Sequence, residues 1–466
     1  MNRLIRFLGC AVLLGVGWGC RNPTKEAAFR DIQGDVSNRI GLAVRWNSQS
    51  QDDRSVDAAV NTLLAHPLSA EESVQIALLN NRHLQARFED LGIAQADLVQ
   101  AGLLKNPVFD VGVRFPDRSP LGTYLDIGVA EDFLDIALLP ARKKLAEVRF
   151  EEAKAQIVAE VLAVASDTRD AFVSYQASSQ MLQLSRTAAE AGEASLEAAK
   201  RMRDAGNMDD LTFTQERENA VRARIELADA EEMEAQAREK ATDQMGLIAP
   251  QTEWTASALD PIPEENPEPR NLESLAMRSR PDVAAARREI EAQSRMLGLT
   301  ADFRFFSSAD LGAEFERETD GQWRIGPSLS LPVPLFDLGD AKVSRAQAML
   351  RQSEEQCLAL IVDVQSQVRA AQQQMHDARV KAILYREELL PIENDLLHQT
   401  ELRYNGMLAG VFQLLDAKRQ QVDAEREYID ALKDYWIARS ELERAVGGRF
   451  DGDIPTTQPQ TAGGAP

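Results

Sequence analysis

Hydrophobic positions along this chain follow two periods, and each period predicts a different element. From Ala141 to Arg203 the apolar residues recur by sevens with small slips: Val148, Ala155, Leu162, then Ala165, Phe172, Ser179, then Leu182, Ala189, Leu196. The stretch holds no proline, Gly192 is its one glycine, and the rest is dominated by strong helix formers. One unbroken helix of that length would be roughly 95 Å long. A seam of this kind needs neighbouring helices along its whole length, so it predicts a coiled-coil wall. Small seam residues such as Ala155, Ala165 and Ala189 predict close helix approach.

The second period is two. Phe109, Val111, Val113 and Phe115 alternate with Asp110, Gly112 and Arg114; after a turn, Leu125, Ile127 and Val129 alternate with Asp126, Gly128 and Ala130. This predicts a β-hairpin with one apolar and one polar face. Further on, Phe303, Phe305, Ala309, Leu311, Ala313 and Phe315 share one face, and Trp323, Ile325, Leu329 and Leu331 continue it on a partner strand. Strands of near ten residues with such faces match membrane β-barrel strands. The alternative is a soluble sheet lying on a core, but the predicted helices are committed to one another. Four strands cannot close a barrel, so other copies of the chain must complete it.

The two halves repeat each other. Gly112 and Phe115 recur as Gly312 and Phe315, Arg203 and Gly206 as Arg403 and Gly406, and Met245-Gly246 as Val446-Gly447. Register held across elements of different type marks a tandem duplication. Repeat 1 spans 67–250, with a β-hairpin at 107–132, a long helix at 141–204 and a return helix at 211–246. Repeat 2 spans 271–448, with a hairpin at 303–333, a long helix at 341–404 and a return helix at 411–446. Ser69 and Glu72 form a capping box at the first helix of repeat 1. Pro391 lies inside the second long helix near the place that Gly192 occupies in the first, which predicts a bend in both. Residues 251–270 read as a proline- and acid-rich linker, 21–66 as an extended N-terminal segment, and 449–466 as a disordered tail.

Residues 1–20 have the basic start and short apolar run of a secretory signal peptide, ending at Cys20, where a lipoprotein signal would place its lipid attachment. No later run of apolar residues is long enough for a transmembrane helix. A net charge of −22 argues against nucleic acid as a partner. The three cysteines and four histidines lack the spacing of a metal or catalytic site, so no enzyme activity, cofactor or bound metal is expected.

The segments AEESVQIALLNNRHLQARFEDLGIAQADLVQAGLLKNP, GPSLSLPVPLFDLGDAKVSRAQAML and RYNGMLAGVFQLLDAKRQ come in the order and spacing of a known family. Over its mature length the chain resembles the TolC-like outer-membrane efflux channels, most of all their metal-exporting branch. The resemblance implies a mainly α fold with a transmembrane β-barrel part: a homotrimer with a twelve-stranded barrel in outer-membrane lipid and a periplasmic α-helical coiled-coil tube. It implies partnership with a periplasmic adaptor (membrane fusion) protein and, through it, an inner-membrane pump. Substrates, transition-metal cations before drugs, would pass without chemistry. By the same resemblance Asp416 and Gln413 fall at the channel gate, where a ring of carboxylates in a narrow pore attracts cations. Arg203, Gly206, Leu211, Arg403, Gly406 and Leu415 fall at the helical tips that adaptors contact. A periplasmic coiled-coil adaptor or scaffold is the alternative, though it would carry one helical hairpin and several β-domains where this chain has two hairpins and four strands.

Overall fold

The computed structural model describes residues 25–47, 53–115, 117, 122–249, 251–264, 271–305 and 310–449. Cys20, the signal peptide, residues 265–270 and the tail beyond Arg449 lie outside the described residues. The elements in chain order are α1 (Lys25–Ile40), α2 (Asp53–Leu64), α3 (Ala70–Asn80), α4 (Arg82–Ala101), β1 (Val108–Arg114), β2 (Tyr124–Asp132), α5 (Phe133–Asp204) and α6 (Asp210–Gln244). They continue with α7 (Leu272–Ser279), α8 (Pro281–Asp302), β3 (Asp310–Arg317), β4 (Trp323–Ser330), α9 (Asp340–Leu384), a π-helical turn (Tyr385–Leu389), α10 (Leu390–Asn405) and α11 (Val411–Val446).

The chain divides into two compact units. One holds residues up to Ile32, Glu89–Ile157 and Asp282–Ala359, and contains all four strands; the other holds Gln33–Phe88, Val158–Pro281 and the chain from Leu360 onward.

In the first unit the strands form one antiparallel sheet in the order β1-β2-β3-β4, so β2 of one repeat pairs with β3 of the other. The register places Val111, Ile127, Phe315 and Ile325 in one row across the sheet, and Phe109, Val129, Ala313 and Pro327 in another. Opposite residues in a ladder share a face. Most of the large apolar positions therefore gather on a single side, with Val108 and Tyr124 on the other. The other side carries Asp110, Gly128, Glu314 and Gly326 in one row and Gly112, Asp126, Glu316 and Arg324 in the next. Gly312 makes the β2–β3 pairing possible, because a Cβ there would lie 2.5 Å from the Val129 carbonyl oxygen. Among the described strands β1 and β4 each have one open edge.

Several boundaries differ from those read in the sequence, each for a physical reason. The second hairpin begins at Asp310, not at 303, because α8 carries the chain in helical form through Asp302. The first long helix begins at Phe133, not at Ala141. Pro140 lies inside it, while Asp132 Oδ1 caps it by accepting from the Leu134 and Asp135 amides at 3.1 and 3.3 Å. Within 21–66 the described residues are largely helical, in α1 and α2, and not extended: Ala28, Ile32, Val36 and Ile40 fall four apart on one buried stripe of α1. The extended part is 42–47, held by side-chain amides. Gln75 both accepts from the Ala43 N–H and donates to the Ala43 carbonyl, and Gln85 accepts from the Asn47 N–H and donates to the Arg45 carbonyl.

In the second unit the segment 251–264 is a packed strap rather than a free linker. Leu68 and Ala256 form a parallel bridge, and Trp254 is buried against Phe172 and Tyr175, with ring centroids 5.7 and 4.7 Å away. The strap carbonyls accept from helix side chains: Trp254 from Arg238 at 2.7 Å, Ser257 from Gln176 at 3.0 Å, Asp260 from the Trp436 indole at 2.8 Å. Arg449, expected in a disordered tail, instead pairs with Glu71 and donates its backbone N–H to the Arg39 carbonyl at 2.9 Å.

The seam positions Val148, Ala155, Leu162, Ala165, Phe172, Leu182 and Ala189 are buried. At Gly192 α5 continues without a break, and a Cβ there would meet the Ala223 Cβ of α6 at 3.4 Å. The glycine serves close helix packing. In the second repeat the helix opens into the π-turn just before Pro391, where the Leu390 N–H reaches back to the Tyr385 carbonyl. Proline has no N–H to offer the preceding turn and its ring crowds that turn's carbonyl, which the wider π-turn relieves.

Candidate functional site

The two helical tips lie in the second unit and are built by the same capping logic. In the first, α5 ends on a Schellman motif: the Gly206 N–H donates to the Arg203 carbonyl and the Asn207 N–H to the Met202 carbonyl, both at 2.8 Å. Gly206 supplies the left-handed turn with φ +77. Asp209 then caps α6, its carboxylate accepting from the Thr212 N–H at 2.9 Å and the Thr212 hydroxyl at 2.7 Å, which holds that carboxyl below its usual range. The Arg203 guanidinium sits 3.9 Å from the Phe213 ring centroid, pinning the tip across its turn, and Leu211 is exposed.

At the second tip the left-handed residue is not Gly406, whose φ is −80, but Met407, with φ 58. The Met407 and Leu408 amides donate to the Tyr404 and Arg403 carbonyls at 2.9 and 2.8 Å, which is the Schellman pair moved on by one residue. A π-turn inserts one residue into a helix, and one lies just upstream. Met407 and Leu408 are left 94% and 82% exposed.

The sequence-predicted site residues separate on α11. The Gln413 side-chain oxygen accepts from the Gly410 N–H at 3.2 Å, so this residue caps its own helix. Leu415 is turned away from the tip. It lines a small crevice with Thr187, Ala188 and Ala191 of α5 and with Val422, and is half-buried there. Asp416 is exposed, with only Gln420 of its own helix donating to it at 3.2 Å. Arg403 is exposed on the last turn of α10.

The stripe that Asp416 begins was missed in the sequence. Gln413, Gln420, Glu427 and Asp434 recur by sevens on α11, as do Asp416 and Asp423, and all six are exposed. The heptad count that found the apolar seams would have found this polar one. Exposed as it is, Asp423 still has its carboxyl pushed up by partial desolvation against the neighbouring side chains; Arg426 pulls it back, and Glu226 and Glu427 add to the rise. Lower on α11, Glu443 accepts from Arg169 at 3.1 Å, and Arg169 also reaches Glu71 at 3.0 Å, so a nearly buried guanidinium ties both repeats together. These residues, with Trp436, Arg439 and Gln176, line a cavity of about 290 Å³.

Three comparisons bear on what these surfaces do. Residues 272–448 match the model of the family described as outer membrane efflux protein. The cobalt-zinc-cadmium resistance protein CzcC of Cupriavidus metallidurans is 22% identical over 420 residues, covering 88% of this chain and 98% of that protein. The second repeat thus matches an outer-membrane efflux family, and the whole chain is similar to a metal-resistance member of that kind. Solved outer-membrane channels share its fold. The open state of MtrE from Neisseria gonorrhoeae matches with a TM-score of 0.69 at 18% identity, covering 81% of this chain and 89% of that one. CmeC from Campylobacter jejuni matches with a TM-score of 0.69 at 14% identity, covering 93% and 90%. These likenesses favour an outer-membrane channel over the adaptor alternative.

Proposed function

We propose that three copies of this efflux protein close one conduit that passes transition-metal cations outward, fed by an inner-membrane pump through a periplasmic adaptor. The acidic surfaces carry this reading. Asp110, Asp126, Glu314 and Glu316 lie on the polar side of the sheet, and Asp416, Asp423, Glu427 and Asp434 lie along the exposed stripe of α11. Carboxylates repeated by symmetry along a narrow path hold cations loosely at many sites, which suits passage. Similarity to a protein named for cobalt, zinc and cadmium resistance supports the same substrate class.

Within this proposal Asp416 is the gate carboxylate, and Gln413 shapes the gate only by capping α11. Arg203, Gly206, Leu211 and Arg403, joined by Met407 and Leu408 in the place expected of Gly406, form the adaptor-contacting tips. Cys20 carries the lipid. The protein conducts passively and performs no chemistry. Deleting the gene tests the function: cells should become sensitive to cobalt, zinc and cadmium salts, with resistance restored by the wild-type chain. Unchanged metal tolerance alongside a new sensitivity to hydrophobic drugs would overturn the assignment of metals as substrate.

A further inference from the structure

The apolar alternation of β4 does not stop where its hydrogen bonding stops. Trp323, Ile325 and Leu329 share the apolar side of the sheet, and Leu331, Val333 and Leu335 continue the same parity beyond Ser330, the last residue of the strand. Pro332 and Pro334 have no N–H to pair, so this run leaves the ladder. It turns at its end, where the Leu335 N–H donates to the Val333 carbonyl at 2.9 Å. Asp337 Oδ1 then accepts from the Gly339 N–H at 2.8 Å, immediately before α9. The corner is thus fixed by prolines and local hydrogen bonds, yet among the described residues its large apolar side chains stay exposed. Val333 is 71%, Leu335 74% and Phe336 101% exposed. At the neighbouring junction Phe133, in phase with Ile127 and Val129 of β2, is exposed as well.

An apolar corner left in water is costly, because leucine, valine and phenylalanine side chains gain free energy by leaving it. The charges beside it are those of a headgroup layer. Arg304 pairs with Asp340 at 3.3 Å, and Lys342 and Arg345 stand exposed on the first turns of α9. Long basic side chains can reach lipid phosphates while their stems lie along apolar matter.

We infer that the Leu331–Leu338 corner, with Phe133, is a lipid-seated collar inserted at the edge of the periplasmic leaflet of the outer membrane, with Lys342 and Arg345 placed toward phospholipid phosphates. The inference rests on the reading that the apolar side of the sheet faces lipid, with which the corner is continuous. It adds a second kind of membrane contact, made by irregular chain outside the strands.

Site-directed spin labelling of the full-length protein tests it. A nitroxide is placed at Phe336→Cys, or separately at Ile325→Cys on the sheet, with the buried Cys357 replaced by alanine. The trimer is reconstituted in phosphatidylethanolamine–phosphatidylglycerol vesicles, and spectra are corrected against the parent without the added cysteine. At 336 the ratio of accessibility to oxygen over accessibility to a water-soluble nickel chelate should be several-fold above that at the exposed tip residue Met407→Cys. Free access of the chelate at 336, with Ile325→Cys in lipid, would overturn the collar alone. Shielding of 336 from both reagents would also overturn it, because a second copy of the chain would then cover the corner. Chelate access at 325 itself would overturn the sheet reading beneath it.

Discussion

Asp170 shows how much one side chain can set against the packing around it. It lies on α5 where that helix meets α11, and its Oδ1 is buried without a hydrogen-bond partner. Burial raises its carboxyl to about 6; a Ser440 hydrogen bond and Arg169 oppose the rise, and Glu441 and Asp167 add to it. A carboxyl raised on folding binds more protons in the folded state, so its contribution to stability falls as pH climbs from about 4 to about 6 and stays low above that. At neutral pH the penalty is up to about 3 kcal/mol. Asp170→Asn should therefore raise the melting temperature of the assembled protein at pH 7.5 and raise it only about a third as much at pH 4.5. Equal gains at both values would show that the side chain's shape, not its charge, is at issue. Nothing in the sequence singles out this residue, because its burial is created by two helices that lie far apart in the chain.

At the scale of elements, what was legible followed from periodicity and what was not followed from local exceptions. Alternation placed β1, β2 and β4 and assigned the residues of each face, since side-chain direction in a strand is fixed by parity alone. The start of α5 was misread because Pro140 looks like a stop, whereas the Asp132 cap lies further upstream. The tip was misaligned by one residue because Gly406 looks like the partner of Gly206. No sequence rule announces the π-turn that shifts the cap to Met407. Of the residues read as the gate, Asp416 lies exposed on α11. Gln413 proved to be a cap and Leu415 a packing residue, while Asp423 and Glu427 went unread although they share the exposed face of α11. That face makes a claim of its own. In planar bilayers Asp416→Ala should weaken block by multivalent cations several-fold, and replacing Asp423 and Glu427 by their amides as well should weaken it further. Unchanged block in all variants would remove α11 from the conduction path.

For the whole molecule, one constraint organises the rest. The four strands bring most of their large apolar side chains to one surface, and among the described strands the outer ones, β1 and β4, keep an unpaired edge each. A sheet with open edges and an apolar face is unstable in water and impossible in lipid until its edges are paired. Closure by identical copies satisfies both demands at once, and the match of residues 272–448 to the efflux family agrees with that solution. The sequence carried this much because duplication fixes strand number and parity fixes the faces. It could not say that β2 and β3 pair across the two repeats, which depends on Gly312 allowing the Val129 backbone to approach. Native mass spectrometry of the protein released from outer membranes in mild detergent measures closure most directly. Three chains per particle, separating only on heating or denaturation, is the expected result; a stable particle of one or two chains would contradict it.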